Sequence, residues 1–122
     1  MRSSVGSEKR DLGERIASVF ELAGAEVVLS GAYDGWNPDM DSPILKAMTA
    51  SYEALYGSRP SVMAIHAGLE CGVIGGTYPK LDMISFGPTI CYPHSPDERV
   101  EIASVGKFYE FLLHTLKHIP VR

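Results

Sequence analysis

Apolar residues recur at helical spacing in three places along the chain. Leu12, Ile16, Val19, Phe20 and Ala23 form one stripe, with Ser7 as the expected N-cap and Gly24 as the stop. A second stripe, Ile44, Leu45, Met48, Tyr52, Leu55 and Tyr56, begins after Ser42-Pro43 and ends at Gly57. Serine there offers a capping hydroxyl, proline at the first helical position loses no hydrogen bond, and glycine accepts a left-handed conformation at the end. The third stripe runs from Ser104 to about His118 and places Val105, Phe108, Tyr109, Leu112, Leu116 and Ile119 on a face wide enough to pack across a sheet. Between the helices, Glu26–Gly31, 61–67 and Leu81–Phe86 read as strands, with a weaker strand signal at residues 3–7. The runs Val27-Val28-Leu29 and Val62-Met63-Ala64-Ile65 are almost continuously apolar, as in strands covered on both faces. Alternating strands and helices predict an α/β fold. The segment Tyr33–Ser42 breaks the pattern with turn-forming residues and the single tryptophan, and reads as a surface loop or a boundary between two structural units.

Composition narrows the picture. At 122 residues, with 45% hydrophobic and 21% charged residues, the chain has the make-up of one globular domain and enough apolar side chain for a modest core. A net charge of −4, with no basic stripe, argues against nucleic acid as a partner. No apolar run approaches the roughly 18 residues of a membrane helix, so no membrane span is expected. The first twenty residues carry no signal-like apolar stretch, and Cys71 and Cys91 read as free thiols of a reducing cytoplasm.

Two segments carry candidate chemistry. Phe86–Val100, FGPTICYPHSPDERV, frames His94 between Pro93 and Pro96. A rigid frame suits a metal ligand, because a positioned donor loses less entropy on binding. Asp97 and Glu98 are near enough in sequence to accept from the other ring nitrogen. The competing reading is a proline-rich loop with solvated acidic residues. In IHAGLECG and the glycines that follow, His66, Glu70 and Cys71 sit after a strand, where α/β proteins bind ligands. Glu70 is a candidate for receiving a substrate amine and His66 for proton exchange; equally, His66 is a hydrogen-bonded strand-edge histidine and Cys71 a small packed residue. His114 and His118 have a chelating spacing, but their position near a helix C-terminus is explained by the dipole. No closed zinc motif, nucleophile elbow or phosphate loop is present.

IHAGLECG, LDMISFGPTI and HSPDERVEIASVGKF together resemble the C-terminal part of aminoacyl-histidine (Xaa-His) dipeptidases. These are co-catalytic zinc exopeptidases of the family that includes carnosine dipeptidases and peptidase T. The resemblance extends over essentially the whole chain, through RSSV and YDGWNPDMDSPIL. It implies a cytoplasmic hydrolase acting on dipeptides with a C-terminal histidine. It also implies partial catalytic-domain α/β layers preceded by a strand–helix–strand piece of a lid domain. On that basis residues 1–33 belong to the lid, 34–41 are the crossover, and 42–122 return to the catalytic domain. His94 aligns with a zinc ligand, and Glu70 and His66 fall in the substrate-facing loop. The family uses two zinc ions to activate water and a glutamate to move the proton to the departing amine. The other ligands and that glutamate lie in the N-terminal part of such enzymes, so no tight zinc site and no activity are expected of this chain alone. Apolar surface left open by the missing part leads us to expect self-association. The alternative is a non-catalytic α/β module that dimerises or binds a ligand.

Overall fold

Four helices and one short antiparallel hairpin make up residues 1–65 and 70–119, which the computed structural model describes. Their order is α1 (Gly6–Leu22), α2 (Pro43–Tyr56), α3 (Glu70–Thr77), β1 (Ile90–Cys91), β2 (Arg99–Val100) and α4 (Ile102–Lys117). The result is mixed α/β, as the sequence predicts. The chain divides into two compact units, one of Met1–Asp39 with Met63–Leu81 and the other of Met40–Val62 with Asp82–Arg122.

In the first unit α1 starts before the expected cap. Ser7 is inside the helix and Val5 is the N-cap, with no side-chain cap of its own. Ser3 takes over part of that role: its hydroxyl accepts from the Val5 N–H and donates to Glu8, at 3.0 Å each. Residues 3–7 therefore begin a helix instead of a strand. The end is as predicted. Gly24 is left-handed (φ +83°), the Ala25 N–H reaches the Phe20 carbonyl and the Gly24 N–H that of Glu21. This is the double hydrogen bond of a Schellman stop.

α3 was not foreseen. Its sequence, ECGVIGGT, mixes apolar residues with glycine and has no polar face to mark a period. The glycines have a packing role. A Cβ on Gly72 would lie 2.6 Å from the Asp34 carbonyl oxygen, and one on Gly76 would collide with the Asp34 carboxylate. These glycines allow a close approach of the chain to itself.

In the second unit α2 matches its prediction at both ends. The Ser42 hydroxyl accepts from the Leu45 N–H at 3.1 Å, Pro43 is the first helical residue, and Gly57 closes with φ +66°. Asp82 completes the cap, accepting from the Ser42 hydroxyl at 2.6 Å and the Ile44 N–H at 2.8 Å. A carboxylate there also meets the positive end of the helix dipole. α4 begins two residues earlier than predicted and packs on α2, not across a sheet. Tyr52 meets Phe111 edge-on (5.4 Å between centroids), and Phe86 meets both Phe108 and Phe111. Such pairs contribute about 0.5–1.5 kcal/mol each beyond their burial. Ile102, Val105, Tyr109 and Leu116, on the remaining apolar face of α4, stay exposed.

The three predicted strands at 26–31, 61–67 and 81–86 do not form as strands among the described residues, which include 61–65 of the second. An extended segment becomes a strand only when a neighbour takes its N–H and C=O groups, and no described residue forms a ladder with them. Their side chains stand open: Val28 is 78% and Met63 83% exposed. Ala17 and Met48 are the buried apolar side chains among the described residues.

Candidate functional site

The hairpin carries His94. Ile90 pairs with Val100 and Cys91 with Arg99, and the Glu101 N–H donates to the Thr89 carbonyl to prolong the pairing. Ser104 fixes the base of the hairpin to α4: its hydroxyl accepts from the Thr89 N–H at 2.8 Å and donates to the Glu101 carbonyl at 2.7 Å. Residues 92–98 cross between the strands, so the proline-rich segment around His94 is the turn of a hairpin.

Tyr92 and His94 are the two non-glycine residues with positive φ among those described, at +54° and +64°. Each such residue costs on the order of 1–3 kcal/mol and needs its surroundings to hold it. Four hydrogen bonds within the loop do so. The Ser95 hydroxyl donates to the Tyr92 carbonyl (2.8 Å) and accepts from the Asp97 N–H (3.2 Å). The Glu98 N–H donates to the Ser95 carbonyl (3.1 Å), and the Glu98 carboxylate accepts the His94 N–H at 2.7 Å. The Arg99 guanidinium lies over the Tyr92 ring, 5.0 Å from its centre. The expectation that Asp97 and Glu98 accept from the imidazole is thus corrected: the Glu98 carboxylate meets the His94 main chain, and Asp97 contributes its own N–H to the Ser95 hydroxyl. The ring itself is exposed and has no hydrogen-bond partner among the described residues.

Glu70 opens α3 and is exposed, so it belongs to a helix start and not to the expected loop. It lies in the other compact unit from His94. His66 falls outside the described residues. At the end of α4, the His118 Nδ1–H donates to the His114 carbonyl (2.7 Å) and the rings stack 4.1 Å apart. That closes a helix end, as the dipole argument anticipated. No group of three His, Cys, Asp or Glu side chains comes together as a metal site among the described residues. Sequence reasoning missed Glu98 and Ser95 as organisers of the loop; the Ser95-Pro96 turn signal was the available clue.

No protein-family model matches the chain. Across all 122 residues it is 44% identical to cytosol non-specific dipeptidase of Escherichia coli, covering 25% of that protein. It is 25% identical over 97% of its length to succinyl-diaminopimelate desuccinylase of Sulfurovum sp., covering 32% of it. The structure matches the crystal structure of aminoacylhistidine dipeptidase from Vibrio alginolyticus with a TM-score of 0.80 at 48% identity, over 98% of this chain and 24% of that one. The chain thus spans about a quarter of the length of the dipeptidases it matches. The class it resembles is that of dipeptidases. Within that class, it matches the C-terminal part of an aminoacyl-histidine dipeptidase. No described helix is long and apolar enough to cross a membrane.

Proposed function

We propose that the chain is the C-terminal part of a cytoplasmic zinc dipeptidase acting on Xaa-His dipeptides, with His94 as its contribution to the metal centre. The match through the whole chain at 44% identity carries this reading. It does not favour the alternative of a free-standing non-catalytic module.

An imidazole nitrogen is a ligand type zinc accepts. His94 fits that role: its ring is exposed, without a protein partner among the described residues, and fixed by the loop behind it. Zinc, when bound, supplies Lewis-acid polarisation of the scissile carbonyl. The work of this chain is to present the imidazole on a short hairpin held to α4. Glu70 and His66 take the substrate-binding role, with the Glu70 carboxylate available to a substrate amine. A single histidine holds zinc weakly, so the chain by itself is inactive. The break between the compact units after Asp39 supports a crossing between lid and catalytic domain at 34–41. The grouping of Met63–Leu81 with the N-terminal residues is a feature that this division, 1–33 against 42–122, does not include.

The open apolar surface supports two further points. The unpaired segments at 26–31 and 81–86 and the bare face of α4 are where the rest of the enzyme packs. In its absence those surfaces promote self-association. Light scattering should then show mass rising with concentration, and a monomer throughout would contradict it.

The decisive experiment replaces the C-terminal quarter of the Escherichia coli dipeptidase with this chain. The chimera should hydrolyse Xaa-His dipeptides, the chain alone should not, and His94→Ala in the chimera should lower activity by at least about 100-fold. A folded, active chimera indifferent to His94→Ala would overturn the assignment of His94.

A further inference from the structure

We propose that Glu98 is a positioning residue, holding His94 in its left-handed conformation through the main-chain hydrogen bond and so fixing where the imidazole points; this rests on the reading of His94 as a metal ligand. A histidine at φ +64° lies outside the conformations that L-residues prefer, and in a free loop it would relax to negative φ. The neighbouring prolines do not set the sign of φ at His94, because each ring restrains its own φ and the residue before it. That leaves the hydrogen bonds. The His94 N–H points at the Glu98 carboxylate at 2.7 Å, the length of a charge-assisted bond. Glu98 is in turn held at its own N–H by the Ser95 carbonyl, and Ser95 by Tyr92, so the acceptor is anchored in the same turn. Rotation about the backbone at His94 would break that bond and swing the ring together with Cβ. A ligand displaced by about an ångström no longer meets a metal held by other residues.

Glutamine keeps an acceptor oxygen at the same reach and alanine removes it, so the two substitutions separate the hydrogen bond from the fold. In the metal-free chain, NMR should show the strong intraresidue HN–Hα contact of a left-handed residue at His94. Glu98→Ala should weaken that contact to the level of an extended residue, and Glu98→Gln should retain it. In the dipeptidase chimera, Glu98→Ala should lower zinc affinity by about 10- to 100-fold, and Glu98→Gln by less than about threefold. An unchanged His94 conformation in Glu98→Ala, or equal losses in both variants, would overturn the proposal. If Glu98→Ala does not fold, failure of the glutamine variant to retain both signals is sufficient to overturn it. His94→Ala separates the two levels: zinc affinity unchanged by that substitution sinks the ligand reading, whereas affinity lost there but preserved in Glu98→Ala sinks only the positioning role.

Discussion

The two compact units treat their apolar residues differently. The unit of Met40–Val62 and Asp82–Arg122 builds a local core, with one face of α4 left open: α2 is capped from two sides, and α2 and α4 share an aromatic cluster. The unit of Met1–Asp39 and Met63–Leu81 does not. On α1 only Ala17 and Gly13 are buried, while Val19 and Phe20, on its apolar stripe, are 66% and 56% exposed. Strand-like sequence at 26–31 and 63–65 runs without a ladder. Local signals suffice for a helix, whereas a strand also requires a neighbour, and among the described residues these segments have none to pair with.

The sharpest test of this contrast compares two glycines. Gly72→Ala in α3 must displace the Asp34 backbone and should destabilise by about 1–3 kcal/mol. Gly106→Ala in α4 meets nothing within 4 Å and should stabilise by up to about 1 kcal/mol. Urea denaturation of the two variants measures both; equal effects would remove the distinction. Next in size is the cap of α2. Ser42→Ala should cost about 1–2 kcal/mol, since it removes the partner of both the Leu45 N–H and Asp82. A shift near zero would mean that Asp82 alone holds the helix start.

The smallest effect is in the alkaline range. Partial burial, then Glu110 beside it, raises the Tyr56 phenol above its usual 10.0, and the hydrogen bond with Tyr52 raises Lys107 above 10.5. The folded state therefore holds these protons longer than the unfolded one. The contribution is complete below pH 10 and is lost as pH rises through the raised values. Tyr56→Phe should flatten the fall in urea midpoint above pH 10. An identical pH profile would show that the α2–α4 contact does not depend on this hydroxyl.

These tests also indicate what the sequence could express. Both ends of α2 were legible because Ser42-Pro43 and Gly57 are local devices, as was the Schellman stop at Gly24. α3 was not, because its glycines answer to Asp34 in a distant segment. The strands at 26–31 and 81–86 were plausible from apolar content, but pairing depends on residues that content does not name. Within the candidate site, His94 was singled out by its frame of prolines and by resemblance. The role of Glu98 required the loop geometry, because a carboxylate four residues on has equal access to ring and main chain until the turn is formed.

On the proposed reading, His94 is one ligand of a metal centre whose other ligands lie elsewhere. Equilibrium dialysis of the isolated chain against zinc near neutral pH, with His94→Ala alongside, tests it most directly. Weak binding that the substitution leaves unchanged is the predicted result. Tight binding abolished by His94→Ala would contradict the account and make this chain the owner of a complete site.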